Sequence, residues 1–253
     1  MPGTMDYDRS VITLTFGDAA ENHVGMEMIG SRGAAGSGFT VAELRELAAT
    51  VPGAELHSLT VGAGCEEAAV LVVRGFLSDA DHRALFEEQA ALDHDRKAFM
   101  YGRVVNKKAR WNLCFHATEG HEPDYAVGKG RVVALTEVPR TASFVESLPT
   151  RFGPKAVGLQ GEGNYYYDAR TCGIGWHGDT ERRKVVALRL GGAGAEMPIC
   201  YRWYHRGEAQ GDVISVPLRG GDLYVMSEKA VGADWRLPSK WTLRHATGSG
   251  FVK

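Results

Sequence analysis

The sequence predicts a mainly β protein of the α+β class, with a sandwich or jelly-roll core and helices near the N-terminus. From Lys155 onward, runs rich in Val, Ile, Leu and Tyr alternate with Gly- and charge-containing turns, about every eight to twelve residues. That spacing suits a β-sandwich or a jelly-roll barrel. The 253 residues are 44% hydrophobic and 24% charged, a composition typical of a globular chain with a sizeable core.

The N-terminal elements are predicted in order. Residues 11–16 alternate as a strand does. Thr40 and Glu43 have capping-box spacing and predict the start of a helix. Residues 69–73 form an apolar run typical of a buried strand, and Ser78 with Asp81 precedes a second helix. We place a domain boundary near residue 70. Residues 1–70 are then an N-terminal α/β extension without an assigned role, and residues 71–253 are the main domain.

The second half contains the predicted barrel strands. They cover residues 156–159, 164–167, 173–177, 185–190, 199–204, 213–218, 223–226 and 241–244. No apolar run reaches the length of a membrane span, and the N-terminus lacks the features of a secretory signal. Four cysteines without a CxxC pair argue against a zinc knuckle or a disulfide framework and favour reduced thiols in the cytoplasm.

The net charge of −2 gives no overall basic surplus for gripping nucleic-acid phosphates. Two local basic clusters occur, Lys107–Lys108–Arg110 and 182–184. Runs of this length are usually solvated faces, with contact to nucleic acid as the alternative.

The sharpest local feature is the stretch Trp176-His177-Gly178-Asp179. Residues i and i+2 of a strand point to the same face, so His177 and Asp179 can bind one ion together. With a second imidazole they form the facial triad of non-haem iron(II) oxygenases, which leaves positions open for a 2-oxo acid and dioxygen. The alternative is a surface turn with a satisfied histidine.

Segments around this motif occur in a recognisable order. Asn164-Tyr165-Tyr166 precedes it, and Gly221-Asp222-Leu223 and Thr242-Leu243-Arg244 follow it. Over roughly residues 70–248 the chain resembles the AlkB-like family of iron(II)- and 2-oxoglutarate-dependent dioxygenases. The resemblance implies a double-stranded β-helix that binds Fe(II), 2-oxoglutarate and dioxygen.

The resemblance also implies roles for individual residues. Asn164 and Tyr166 match residues that hydrogen-bond 2-oxoglutarate, and Arg244 matches an arginine that binds it. Glu181 matches an acid that reads the substrate base, and Tyr101 and Arg103 fall in the substrate-covering lid. For Tyr166 the alternative is a core aromatic, and for Arg244 it is a surface salt bridge.

The chain departs from the family pattern at the third metal ligand. No histidine follows Asp234-Trp235, and only His205 and His245 remain downstream of Asp179. We choose His245, with Asp234 or a site of two protein ligands as alternatives. Adjacent strand residues face opposite ways, so His245 and Arg244 share a pocket only across a bulge. The second arginine with which the family binds 2-oxoglutarate is also missing. Lys240 is predicted to contact the distal carboxylate of 2-oxoglutarate instead.

The leading functional hypothesis is oxidative demethylation of an N-alkylated base in DNA or RNA. The first alternative is the same chemistry on a nucleoside, amino acid or secondary metabolite. The second is a barrel that has lost turnover and serves as a binding module. No membrane partner is expected, and the sequence predicts neither a protein partner nor an oligomeric state.

Overall fold

The computed structural model describes residues 5–62 and 64–253, which form sixteen strands. In chain order they are β1 (Val11–Gly17), β2 (Ala19–Glu21), β3 (Met28–Gly30), β4 (Ala54–Ser58), β5 (Ala69–Val73), β6 (Lys97–Met100), β7 (Arg103–Asn106), β8 (Trp111–His116), β9 (Val132–Ala134), β10 (Gln160–Tyr166), β11 (Ile174–His177), β12 (Val185–Leu190), β13 (Ile199–His205), β14 (Glu208–Val216), β15 (Leu223–Met226) and β16 (Trp241–Thr247).

The same residues form four α-helices: α1 (Val41–Thr50), α2 (Asp79–Ala90), α3 (Pro139–Phe152) and α4 (Glu228–Val231). The capping box predicted at Thr40 and Glu43 is confirmed, because each side chain bonds the other residue's backbone N–H. Ser78 caps α2 as predicted. Within the described residues, no helix is both long and apolar enough to cross a bilayer.

Most strands belong to two sheets. The large sheet has the order β4-β5-β15-β12-β1-β10-β8-β9, and the small sheet has the order β11-β16-β13-β14. All neighbours are antiparallel except β8 and β9. The chain is therefore mainly β within the α+β class, as the sequence predicted.

The two faces of the large sheet have different partners. One face packs against the small sheet, where Ala187 and Tyr224 share a core with Trp203 and Leu243. The other face is covered by the first three helices, which bring Leu44, Phe86 and Phe144 onto strand residues such as Leu14 and Leu188. Burial on both sides explains why β12 and β15 are nearly continuous apolar runs.

Several predicted elements differ from the structure. The strand expected at 156–159 is wrong: a 3₁₀ turn, Pro154–Ala156, precedes β10, which starts at Gln160. The amphipathic helix α3 was not predicted. The boundary near residue 70 does not separate two sheets, because β4 pairs with β5 and β1 lies between β10 and β12. Local alternation predicts a strand but not the sheet that it joins.

Candidate metal centre

The end of β11 and the middle of β16 bring two histidines together. The strands pair antiparallel with His177 opposite His245, and a register shift in β11 precedes His177. Asp179 follows β11 by two residues, and its backbone N–H donates to the carbonyl of Val231 at 3.0 Å. Two paired strands and one anchored loop thus position the three side chains.

The three side chains direct one donor atom each toward a common point. The Nε2 atoms of His177 and His245 each lie 3.5 Å from Oδ1 of Asp179. All three donor atoms lie within 4.8 Å of one another. Nδ1 of His177 lies 2.8 Å from the carbonyl of Gly175, a contact that places the proton on Nδ1 and leaves Nε2 free as a ligand.

The protonation states of this cluster suit a cation. Burial, followed by the neighbouring His245, lowers the pKa of His177 to about 3, so its imidazole is neutral near neutral pH. Burial alone opposes ionisation of Asp179, but the Arg182 guanidinium and the two imidazoles hold its pKa below the usual range. Metals bind neutral imidazole and ionised carboxylate.

Steric contacts explain why the residue between the two predicted ligands, Gly178, is a glycine. A Cβ atom at Gly178 would collide with the carbonyl of Gly232 and approach Trp235 to 2.9 Å. At Gly175, three residues earlier, a Cβ would meet nothing within 4 Å. The tight approach of backbone to backbone at Gly178 sets the path between His177 and Asp179.

Beside the three donors a cavity of about 140 Å³ lies between the two sheets. The small sheet contributes His177 and His245. The large sheet contributes mostly polar side chains: Thr13, Thr15, Glu162, Asn164, Tyr166, Arg189 and Tyr224.

A fully buried arginine connects the candidate ligands to the cavity wall. Arg182 donates to Glu162 and Glu181 and lies 3.7 Å from Oδ2 of Asp179. Burial raises the pKa of Glu181 to about 7. One cation thus holds three carboxylates in fixed positions.

Of the predicted site residues, Asn164, Tyr166 and Glu181 line the cavity, together with the candidate ligands. The amide of Asn164 is engaged by the protein itself: its oxygen accepts from Arg110 Nε at 2.6 Å, and its nitrogen donates to Glu162 at 3.0 Å. The alternative ligand Asp234 accepts from Lys229 at 2.8 Å instead.

The structure does not bring the predicted co-substrate cations to the cavity. Arg244 is on the opposite face of β16 from His245, and its guanidinium carbon lies 3.8 Å from the ring centre of Tyr204. Lys240 is exposed in the loop before β16. Neither side chain lines the cavity, because strand alternation and the loop direct them elsewhere.

The predicted lid residues also lie outside the cavity. Tyr101 and Gly102 both have positive φ and form the turn of the β6–β7 hairpin. This turn leaves the side chain of Tyr101 90% exposed. Arg103 begins the returning strand and is exposed as well.

Sequence reasoning missed Arg189 and Tyr224 as cavity residues and treated Arg110 only as part of a basic cluster. A signal for Arg189 exists: it is the single charge in the otherwise apolar strand β12. A charge inside a fully buried strand indicates a functional or paired group.

Fold and site together define a mainly β protein of the α+β class with a partly buried His–Asp–His cluster beside a cavity lined largely by polar side chains. The chain matches no family model. It is 40% identical over 257 residues to "Uncharacterized protein R156" of Acanthamoeba polyphaga mimivirus, with 97% of this chain and 98% of that protein covered. The chain belongs to the same family as this viral protein.

Proposed function

We propose that this protein is an iron(II)- and 2-oxoglutarate-dependent dioxygenase of the AlkB-like type. The observation that carries the proposal is the convergence of His177, Asp179 and His245 on one point beside a polar cavity. Two imidazoles and one carboxylate are the protein ligands of non-haem iron(II) oxygenases.

The donor set fits such an ion in its dimensions. Ligand atoms about 2.1 Å from a metal and at right angles to each other are about 3 Å apart. The two observed nitrogen–oxygen separations are 3.5 Å, so a small inward movement suffices. The described cysteines are free, which suits a reducing compartment such as the cytoplasm, where iron(II) persists.

The strand order supports the jelly-roll part of the proposal. From β10 to β16 the chain visits the large, small, large, small, small, large and small sheets in turn, and β1 supplies one more large-sheet strand. The inner four strands of the large sheet, β15-β12-β1-β10, face the four of the small sheet. Eight strands in two facing sheets with crossing connections are the pattern of a jelly roll.

The bound metal would supply the oxidising chemistry, and the protein would orient the reactants and exclude water. Across the reaction, 2-oxoglutarate loses carbon dioxide and becomes succinate with one oxygen atom of dioxygen, and the other atom enters a substrate C–H bond. On an N-methyl group the product then releases formaldehyde. His177, Asp179 and His245 hold the metal, Arg182 fixes Asp179, and the facing sheets exclude water.

A basic hairpin favours a nucleic-acid substrate. Residues 96–110, which include β6 and β7, contain six Lys or Arg and no acid. Lys97, Arg103 and Lys108 are exposed, Tyr101 is available at the turn to stack on a base, and Arg110 lines the cavity. Phosphate contacts and stacking are how base-modifying enzymes hold an extruded nucleotide. We therefore propose an N-alkylated base in DNA or RNA as the substrate.

A small-molecule substrate is the second candidate, and the acids of the cavity favour it. Glu21 and Glu181 both line the cavity, and the net charge of the chain is −2. Carboxylates at this position suit a cationic or amine-bearing small molecule better than a polyanion.

Succinate formation tests the enzyme proposal. Purified protein with Fe(II), 2-oxoglutarate and dioxygen should form succinate, even without substrate, and Asp179→Ala should abolish it. Iron-independent or absent succinate would refute the oxygenase function. Oligonucleotide binding that weakens steeply with salt would support the nucleic-acid substrate. Flat or absent binding would favour the small molecule.

A further inference from the structure

An arginine inside the cavity has no partner for its charge among the residues that the structure describes. Arg189 lies on β12 with only 3% of its surface exposed. Its Nε and Nη1 atoms are buried, and no residue of the ranges 5–62 and 64–253 accepts a hydrogen bond from them. A buried, unpaired guanidinium is costly, so its presence indicates a ligand that completes it.

The acids of the cavity do not pair with Arg189. Glu162, Glu181 and Asp179 surround Arg182. Glu21 accepts the backbone N–H of Gly25 at 2.7 Å. None of these four carboxylates accepts a hydrogen bond from Arg189, so its positive charge is available to a bound anion.

The neighbours of Arg189 add hydroxyl donors. Thr13 is directly opposite Arg189 on β1, and the register continues from Thr13 to Asn164 on β10. Tyr166 and Tyr224 also line the cavity. Tyr224 of β15 pairs with Ala187, two residues before Arg189 on β12, so Tyr224 and Arg189 are on the same face of the large sheet. Burial raises the pKa of both phenols. A phenol with a raised pKa is protonated near neutral pH and can donate a hydrogen bond.

We propose that Arg189, assisted by Tyr224 and Thr13, binds the distal carboxylate of 2-oxoglutarate in place of the predicted Lys240 and Arg244. This inference rests on the proposed oxygenase function. A guanidinium fork matches a carboxylate with two parallel hydrogen bonds, which a lysine cannot provide. The far end of the co-substrate is thereby fixed on the large sheet, and its 2-oxo acid end is directed at the three metal donors across the cavity.

The test removes the distal carboxylate from the ligand and, separately, the guanidinium of Arg189 from the protein. Titration calorimetry on the Mn(II)-loaded protein compares 2-oxoglutarate with 2-oxopentanoate, which has the same carbon chain and a methyl group instead of the distal carboxylate. The wild type should bind 2-oxoglutarate about 30-fold more tightly or better. Arg189→Met should remove this preference by weakening 2-oxoglutarate alone, and Arg189→Lys should lose part of it. Lys240→Met is the control and should keep it.

A second readout needs no ligand. Because the guanidinium lacks a partner in the described structure, ligand-free Arg189→Met should unfold at the same temperature as the wild type or higher. An Arg189→Met protein that still prefers 2-oxoglutarate would overturn the carboxylate assignment, although the oxygenase proposal would stand. A wild-type protein that binds neither 2-oxo acid when metal-loaded would overturn both.

Discussion

Replacing the buried arginine at the metal centre should reveal how the cluster of acids is stabilised. Arg182 is 1% exposed and faces three carboxylates, those of Glu162, Glu181 and Asp179. Arg182→Met retains an unbranched apolar stem of similar shape and removes the one cation of residues 5–62 and 64–253 that contacts all three. The variant therefore buries three acids with no compensating charge at their centre.

The expected cost is about 3–5 kcal/mol of unfolding free energy near pH 8, the usual loss when one partner of a buried ion pair is removed. For a chain of this length that lowers the melting temperature by about 6–20 °C. Burial already raises the pKa of Glu181 to about 7, and Arg182 opposes that rise, so removing the arginine should raise the pKa of Glu181 further. The pKa of Asp179, which Arg182 holds below its usual range, should rise as well. The folded variant then binds more protons than the unfolded chain, so its stability falls as pH rises.

Denaturant and thermal unfolding of the metal-free protein at pH 5 and pH 8 measure this effect. The loss should be small at pH 5 and large at pH 8. Arg183→Met is the matched control, because Arg183 is the adjacent arginine and pairs with Glu228 at 3.4 Å, away from the three carboxylates around Arg182. It should cost at most about 1 kcal/mol at either pH. An Arg182→Met loss that matches the control, or that grows toward acid pH, would refute this account of the cluster.

Three further predictions concern a metal donor, a glycine between two of the donors and a buried lysine. His245→Ala should weaken Mn(II) binding more than about 100-fold in calorimetry, while His205→Ala, at the other downstream histidine, should not change it. Gly178→Ala should lower the free energy of unfolding, measured with denaturant, by about 1–3 kcal/mol, because its Cβ would collide with backbone. Gly175→Ala, whose Cβ meets nothing, should change it by at most about 0.5 kcal/mol. Equal losses in the two variants would contradict this steric explanation. Burial lowers the folded-state pKa of Lys107 to about 8, so the unfolded chain binds more protons and stability should rise from pH 7 to pH 10. Lys107→Met should flatten the slope of unfolding free energy against pH. An unchanged slope would contradict the lowered pKa of Lys107.

Local sequence signals predicted those parts of the fold that local interactions determine. The capping box at Thr40 and the cap at Ser78 both start helices, and the apolar strands at Val185–Leu190 and Leu223–Met226 have the predicted limits. The partners of β1 were not predictable, because its pairing to β10 and β12 joins residues about 140 to 180 positions apart. Sheet order is a long-range property that alternation does not encode.

The sequence predicted those features of the site that follow from the alternation of side chains along a strand. Parity indicated that His245 and Arg244 face opposite sides of β16, and the structure places only His245 in the cavity. Parity gives no information about which other strand supplies a cation. Arg189 is on β12, and only the three-dimensional arrangement brings it to the wall that holds Asn164.

The position of β1 makes the N-terminal segment part of the folding core. Leu14 is fully buried and packs with Leu188 of β12 beneath the helices. Leu14→Ala should therefore cost about 2–5 kcal/mol, as buried leucines do, and lower the midpoint of a single unfolding transition. Leu56→Ala, on the partly buried edge strand β4, is the control and should cost less. If residues 1–70 were a separate extension of a barrel formed by residues 71–253, Leu14→Ala would leave the midpoint of the main unfolding transition unchanged. That result would support a domain boundary at residue 70.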